Sequence, residues 1–414
     1  MYLKYIVLLV NIVVLAICSA LAWAHGPVDR IPEPTSEYAR LFVADGASGN
    51  LIAIDLPDGN EVGRLTTPAY IMSLALTADE RHLMVMRGRD TDRDMITVIN
   101  TGLDVEARKL RPPYVARTIP VDTPGPGEKN HLQRAGDKDA LLMEGPGEML
   151  IFEDHNFAGL GPVNVRKYKL GAPDHYFYLE SGEHIYIGHL RKGYIQVLRH
   201  DTGEEVTKIP GCPVVHGKAI DPETGRLFYS CMRDVMVVGS RGDEMNQVVA
   251  RISYPEQQRI GAFLKGKDRI LWGYTEGTLP IIYRFDTSVE PYEFTVVPLG
   301  ASLWQRATKG GEYLLIVTKG GVLQIRDGYS GDLLRSAEIS GPFLGDYHED
   351  VNKAVLPDIE TLDNKAYVSL PHEGRVAVVD LATAEVEKYF ETGGRPVRMS
   401  LVAVPRKAEK AVSN

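Results

Sequence analysis

The chain has 414 residues, of which 44% are hydrophobic and 24% are charged, so it is long enough to bury a large core. Its formal net charge is -9 at pH 7, and no stretch of the chain clusters lysines and arginines. An acidic chain without a basic patch argues against nucleic acids and anionic membrane surfaces as partners.

The N-terminus has the pattern of a secretory signal. Lys4 precedes an apolar run that ends in Ala22-Trp23-Ala24, a small-x-small cleavage pattern. We expect removal of the signal and export to the periplasm. The alternative is an uncleaved anchor, because the apolar run is just long enough to span a bilayer. The predicted division of the chain is a signal peptide at 1–24, a flexible segment at 25–37, one folded domain at 38–405 and a disordered tail at 406–414.

Short apolar runs recur along the rest of the chain. Their first core positions are Leu41, Leu83, Leu141, Ile185, Leu227, Ile270, Leu314 and Tyr367. Successive positions are 42, 58, 44, 42, 43, 44 and 53 residues apart, a spacing typical of propeller blades. Each run is followed by a hairpin and another strand, and helical periodicity is nearly absent. The pattern therefore predicts an all-β chain.

The repeat predicts a β-propeller of eight four-stranded blades. Seven blades is the alternative if the irregular unit around 114–170 is misread. The first unit lacks an inner strand, whereas the last unit is followed by an extra strand, VRMSLVAV, at 397–404. We expect this C-terminal strand to complete the first blade and close the ring, because an open ring would leave two unpaired edges.

The position of each histidine in its blade predicts the face on which it lies. The upper face is defined here as the end of the propeller that carries the loops between blades and the hairpins between second and third strands; the lower face is the opposite end. His82, His184 and His200 are predicted to be surface residues of the lower face. The histidines predicted on the upper face are His131, His175, His189, His216, His348 and His372.

The upper-face histidines indicate a metal site. The two longest units carry their extra residues around 114–131 and 342–353, which contain His131 and His348. Zinc takes about four ligands from imidazole, thiolate or carboxylate, and inner strands of different blades can supply them. Acidic neighbours of these histidines could ligate or orient them. The candidate metal ligands are His131, Asp174, His175, His216, His348 and His372. The alternative is that these histidines only hydrogen-bond to neighbours and water.

The segment GCPVVHGKAI in the fifth unit combines a cysteine with one of these histidines. An inner strand at 213–220 and a second strand at 226–232 would place Val215 or His216 near Cys231, with Cys212 on the same edge. A Cys212–Cys231 disulfide is geometrically reasonable and would be the default pairing in an oxidising compartment. If both cysteines were reduced, they would instead form a thiolate–imidazole cluster with His216.

This segment resembles the exported β-propeller zinc metallochaperones, which pass zinc to the solute-binding protein of a zinc ABC importer. The shared element is Cys-Pro-x-x-His-Gly, here from Cys212 to Gly217, followed by Cys231. The resemblance implies a Cys212–Cys231 disulfide and a metal site of histidines and an acidic residue, with His216 assigned by the motif. The chain departs from the family in having only His25 where the family has a His/Asp-rich N-terminal stretch.

The sequence therefore predicts a monomeric periplasmic zinc carrier without enzymatic activity, whose partners are zinc and the solute-binding protein of a metal ABC transporter. Copper is an alternative cargo, since the affinity order of divalent metals favours it. One alternative function is a lactonase-like enzyme or a quinone-linked dehydrogenase subunit, although no nucleophile motif or phosphate loop is present. Another is a protein-binding propeller without metal.

Overall fold

The computed structural model consists almost entirely of β-strands. It describes residues 36–67, 71–87, 94–104, 106–121, 130–135, 138–153, 157, 163–171, 173–275, 280–300, 302–343 and 356–405. The predicted signal peptide at 1–24, most of the predicted flexible segment and the predicted tail at 406–414 lie outside the described residues. Within the described part of the chain, no helix has the length and apolar character needed to cross a membrane.

Eight antiparallel sheets of four strands each follow one another along the chain. The first blade contains β1 (Ser36–Asp45), β2 (Asn50–Leu56), β3 (Asn60–Thr66) and β34 (Pro396–Pro405). The second contains β4 (Ile71–Leu76), β5 (His82–Arg87), β6 (Asp94–Asn100) and β9 (Tyr114–Val121), with a small hairpin of β7 (Leu103–Asp104) and β8 (Lys109–Leu110). The third contains β10 (Asn130–Ala135), β11 (Lys138–Met143), β12 (Glu148–Phe152) and β13 (Val165–Lys169). The fourth contains β14 (Tyr176–Ser181), β15 (His184–His189), β16 (Tyr194–Arg199) and β17 (Glu205–Pro210).

The remaining four blades have the same order of strands. The fifth contains β18 (Lys218–Ile220), β19 (Leu227–Ser230), β20 (Asp234–Val238) and β21 (Val248–Ser253), with a short 3-10 helix at Gly242–Glu244. The sixth contains β22 (Ile260–Lys265), β23 (Ile270–Thr275), β24 (Ile281–Asp286) and β25 (Phe294–Pro298). The seventh contains β26 (Ser302–Ala307), β27 (Tyr313–Thr318), β28 (Val322–Asp327) and β29 (Leu333–Glu338). The eighth contains β30 (Ile359–Leu362), β31 (Lys365–Leu370), β32 (Arg375–Asp380) and β33 (Val386–Glu391).

The ring is closed by the C-terminal strand. β34 pairs antiparallel with β1, and Leu401 lies opposite Leu41. β34 also contacts the inner strands of both neighbouring blades, β4 and β30. The eight-bladed propeller closed in this way is therefore confirmed, and the seven-bladed alternative is wrong. Closure leaves each blade a neighbour on both sides, which protects the inner strand edges.

The hydrophobic core is divided among the blade interfaces. Eight clusters of buried residues lie in the described part of the chain, one between each pair of neighbouring blades. The repeated apolar runs supply the second strands, and their predicted core positions from Leu41 to Tyr367 are all buried. Because a second strand is covered on both faces, its sequence reads as a continuous apolar run.

The long spacing between the second and third units has a different origin from the predicted one. The sequence predicts an upper loop at 114–131, but Tyr114–Val121 forms the outer strand β9. Part of the extra length is the β7–β8 hairpin, which follows the third strand of the blade and so belongs to the lower face. Arg40 fixes this hairpin, since its Nη1 donates to the carbonyl oxygens of Thr101 at 2.7 Å and Arg111 at 2.6 Å.

Two predicted lower-face surface histidines are buried, so that prediction is wrong for them. His82 is 4% exposed, and its ring lies edge-on to Phe157 with centroids 5.1 Å apart. His184 is 9% exposed and packs near Tyr186. Both residues begin the second strand of a blade, which neighbouring blades cover even at its lower end. His200, in a turn between third and fourth strands, is partly exposed.

Candidate metal centre on the upper face

His175 is held at the upper face between the third and fourth blades. It immediately precedes β14, and its carbonyl oxygen accepts the backbone N–H of Leu190 at 3.1 Å. Its Nδ1 hydrogen-bonds to Oε1 of Glu144, a residue that is only 2% exposed. Glu144 opens the β11–β12 hairpin, whose turn requires Gly147, because this residue has φ +67° and an added Cβ would lie 2.2 Å from the carbonyl oxygen of Gly171.

The carboxylate of Asp174 hydrogen-bonds to the backbone around His175. Its side chain is fully buried, and its carboxylate accepts the backbone N–H groups of His175 at 2.8 Å, Arg191 at 2.9 Å and Lys192 at 3.3 Å. These bonds tie the start of the inner strand to the β15–β16 hairpin. The structure thus places Asp174 beneath His175 as a positioning group; its predicted role as a metal ligand stays a prediction.

His216 is held at the upper end of the fifth blade by a disulfide and a strained loop. Cys212 and Cys231 are bonded, with Cα atoms 4.8 Å apart, which confirms the disulfide and excludes the reduced cluster in this structure. The predicted inner strand at 213–220 is wrong in extent, because β18 begins only at Lys218. Val214, with φ +56°, turns the chain before it, a conformation that is strained for a β-branched residue.

A bulge in the sixth blade orients the ring of His216. The register of β22 with β23 skips Gly261, because Ile260 lies opposite Thr275 and Ala262 opposite Tyr274. The Gly261 carbonyl is therefore turned out of the regular ladder. Nδ1 of His216 donates to this carbonyl oxygen at 2.6 Å.

The two imidazoles lie side by side. The ring centroids of His175 and His216 are 5.5 Å apart, and Phe177 contacts both rings, with centroids at 4.6 and 4.9 Å. A carboxylate and a carbonyl oxygen only accept hydrogen bonds, so Nδ1 of each histidine carries the hydrogen. In the neutral rings the lone pair is then on Nε2. Two imidazole nitrogens of the type that binds metal are thus prepared on adjacent blades, each backed by an oxygen acceptor.

The other predicted ligands are only partly accounted for. His131 belongs to β10 of the third blade, and its backbone lies opposite Leu142, close to the hairpin of Glu144; its side chain is not among those described. His348, with Glu349 and Asp350, lies outside the described residues. His372 is exposed on the β31–β32 hairpin of the eighth blade and contacts Phe343, with ring centroids 4.6 Å apart.

No metal-binding group of three or more histidine, cysteine, aspartate or glutamate side chains is found among the residues that the structure describes. The described part of the candidate centre is therefore the pair His175 and His216 with the acceptors behind them. The roles of His131, His348 and His372 as ligands stay predictions.

Sequence reasoning missed Glu144. The residue stands in MEGPGEM, between two buried strands, and the turn Gly-Pro-Gly follows it. The rule that places hairpins between second and third strands on the upper face applies to it as it does to His189 and His372. The sequence signal for Glu144 was a carboxylate at an upper-face hairpin. It indicates a partner of His175 only once the third blade is known to lie beside His175.

His189 is a further upper-face histidine, and it is fully buried. Its Nε2 lies 3.0 Å from Oε1 of Gln196, whose amide nitrogen donates to Glu205 at 2.7 Å. Nε2 therefore carries the hydrogen, and Nδ1, 3.8 Å from Asp174, carries the lone pair. Burial lowers the pKa of His189 to about 4, because the charged imidazolium is poorly solvated there.

This buried neutral histidine should make stability depend on pH. The unfolded chain takes up a proton on His189 below about pH 6.5, whereas the folded protein does so only near pH 4. The stabilising contribution is therefore complete above pH 6.5 and is lost as the pH falls toward 4. We expect it to reach about 3 kcal/mol in the free energy of unfolding.

Urea unfolding of the wild type and of His189→Gln between pH 7.5 and 4.5 measures this effect. The loss of stability with falling pH should be smaller in the variant. His200→Gln, which removes a partly exposed lower-face histidine, is the matched control and should keep the wild-type dependence. An equal pH dependence in wild type and His189→Gln would contradict the assignment.

Together these features define an eight-bladed β-propeller with a histidine–carboxylate cluster on one face and a disulfide beside it. The chain is similar to the zinc chaperone AztD of Citrobacter koseri, with 20% identity over 387 residues that span 88% of this chain and 86% of the relative. The structure of apo AztD from Citrobacter koseri matches with a TM-score of 0.71 and 18% identity, covering 88% of this chain and 98% of that one. The resemblance that the cysteine–histidine segment indicated is thereby confirmed.

Other propellers share the architecture at lower similarity. The dihydro-heme d1 dehydrogenase NirN matches with a TM-score of 0.63 and 13% identity, covering 87% of this chain and 74% of that one. No family model matches the chain. Since a chaperone and a dehydrogenase have the same fold, the function has to be argued from the side chains of the site.

Proposed function

We propose that this protein is an exported zinc metallochaperone, which holds Zn²⁺ at the upper-face histidines and passes it to the solute-binding protein of a zinc ABC importer. The observation that carries the proposal is the pair His175 and His216, whose Nδ1 hydrogens are bound by Glu144 and by the Gly261 carbonyl. Metal-binding histidines commonly have their second nitrogen held in this way. The similarity to a protein named zinc chaperone supports the same function.

The ring of blades provides the ligands from separate parts of the chain. His175 and His216 come from the fourth and fifth blades, and we propose that His131 of the third blade and His348 complete the coordination, with His372 or an acidic residue as a further candidate. Zinc accepts a tetrahedral set of imidazole and carboxylate ligands. Binding would require neutral imidazoles, so zinc affinity should fall in acid.

The partial exposure of the pair His175 and His216 is suited to a protein that carries a metal ion and releases it. The side chain of His175 is 18% exposed, whereas Glu144 behind it is buried, so the cargo would meet solvent on one side only. A partner protein can therefore approach a bound ion without unfolding of the propeller. The disulfide removes both thiolates from the site, and a site without soft ligands is poorly suited to Cu(I). This chemistry favours zinc over reduced copper as the cargo.

The enzymatic alternatives have weaker support. The similarity to a dehydrogenase is 13% in identity and concerns the fold. The relative at 20% identity over 387 residues is named a chaperone, which favours a function without turnover. A carrier with one site per chain also needs no second subunit, in agreement with the predicted monomer.

The metal content of the protein isolated from the compartment of its export tests this function. We expect about one zinc ion per chain by elemental analysis, bound at a single site of about four ligands. Incubation of the loaded chain with an apo solute-binding protein, followed by separation of the two, should show zinc on the acceptor. A preparation with no metal above that of a buffer blank, which also fails to take up added zinc, would contradict the proposal.

A further inference from the structure

A second candidate site lies at the other end of the blades. A cavity of about 730 Å³ opens at the lower ends of the inner strands β18 and β22. Its wall includes the turn Asp221-Pro222-Glu223, which follows β18, and Lys265, the last residue of β22. His216 precedes β18 by two residues at the upper end of the strand and does not line this cavity. The cavity therefore belongs to the lower face and not to the candidate metal centre.

The cavity has the size and lining of a small-molecule site. Pockets that bind organic ligands usually measure a few hundred to a thousand cubic ångströms and are mostly apolar with a few polar groups. Here Leu179, Phe263 and Leu271 supply apolar wall, and Lys218 and Arg269 supply partly buried basic groups. A ligand would need an apolar body and a group that interacts with a cation.

Lys218 has hydrogen-bond acceptors but no counter-charge. Its Nζ donates to Oε1 of Gln133 at 2.5 Å and to the carbonyl oxygen of Tyr178, both neutral acceptors from the inner strands of the third and fourth blades. Burial lowers the pKa of Lys218 to about 7, so near neutral pH it is an ammonium only in part. The ammonium form has three N–H donors, so one donor is then left over. No carboxylate in the described part of the chain forms an ion pair with it. A buried cation in this situation is stabilised by an anion that accepts the remaining hydrogen.

The other charged residues of the cavity wall are less suited to binding an anionic ligand. Arg269 is already paired with the buried carboxylate of Asp221 and, at 3.1 Å, with Glu223. Lys265 and Asp268 are exposed at the rim, where solvent screens them. Nε of Arg269 is a buried donor without a hydrogen-bond partner, but two carboxylates compensate the charge of this residue. Lys218 is thus the partly buried cationic group of the wall whose charge no carboxylate in the described part of the chain compensates.

We propose that this lower-face cavity binds a small organic carboxylate. The carboxylate accepts the third N–H of Lys218, and the apolar part of the ligand packs against Leu179, Phe263 and Leu271. The site uses none of the candidate metal ligands, although Lys218 is only two residues from His216.

Calorimetric titration with matched pairs of probes tests this site. The probes are hexanoate and 3-phenylpropanoate, each compared with its uncharged amide. The protein is made metal-free with 1,10-phenanthroline and dialysed, so that no carboxylate can bind zinc. Wild type should bind each carboxylate about tenfold or more tighter than its amide, as expected for a hydrogen bond between charged groups. Equal binding of carboxylate and amide, or no binding of either carboxylate, would overturn the proposal.

Two variants locate the binding. Lys218→Met should abolish the preference for carboxylates, whereas Lys267→Met, an exposed lysine in the neighbouring turn that does not line the cavity, should keep it. Leu179→Trp adds bulk to the wall and should weaken both members of each pair, which provides a test even if Lys218→Met does not fold. A preference that survives in Lys218→Met, or probe binding unchanged in Leu179→Trp, shows that the ligand binds elsewhere.

Discussion

Replacing His175 and His216 together by alanine is expected to weaken zinc binding at least about 100-fold, since two ligands of a four-coordinate site are lost. Each ring is only partly buried, so the double variant should remain folded. Zinc affinity is measured by competition with a chromophoric chelator, and the fold by far-ultraviolet circular dichroism. A double variant that binds zinc as tightly as the wild type would refute the candidate centre.

Glu144→Gln probes the same site without touching a ligand. The amide keeps a hydrogen-bond acceptor for Nδ1 of His175 but lacks the negative charge. Removing an acceptor behind a ligating histidine typically lowers metal affinity 10- to 100-fold, and we expect an effect of about that size here. His200→Ala, on the lower face, is the matched control and should bind zinc as the wild type does.

Loss of the disulfide should be the largest change in stability that two substitutions produce near the site. Cys212→Ala with Cys231→Ala opens a loop whose ends are 19 residues apart, and the chain-entropy model predicts a loss of about 3 kcal/mol in the free energy of unfolding. Alanine is chosen because both cysteines are buried, and serine would leave a hydroxyl there. Urea unfolding of the oxidised wild type and the variant measures the difference.

The same variant should bind zinc more weakly. The disulfide closes the loop that carries Val214, whose positive φ is sparsely populated for valine, so the released loop can relax and His216 can leave the Gly261 carbonyl. Dithiothreitol should weaken the wild type to a similar extent and leave the variant unchanged. A variant as stable as the wild type, with full zinc affinity, would mean that the disulfide neither stabilises the fold nor positions His216.

The architecture could be predicted because it depends on patterns local to the chain. Apolar runs from Leu41 to Tyr367 recur at intervals close to a blade length, and each forms the doubly covered second strand of its blade. The extra strand at 397–404 likewise matched the missing inner strand of the first unit. One error occurred where local spacing has two solutions: Tyr114–Val121 could be a loop or a late outer strand, and the β7–β8 hairpin before it made it the latter.

The same reasoning from the sequence predicted the histidines of the candidate site but not their hydrogen-bond partners. Blade position places His175 and His216 on one face, and the Cys-Pro-x-x-His-Gly segment singles out His216 before any coordinates are known. The partners of these rings belong to other blades: Glu144 is 31 residues from His175, and Gly261 is 45 residues from His216. No periodicity relates such positions, because the contact depends on how neighbouring blades pack and on a bulge that frees one carbonyl. The chain order thus decides the fold and the face, and the packing between blades decides which nitrogen of each histidine carries the hydrogen and which carries the lone pair.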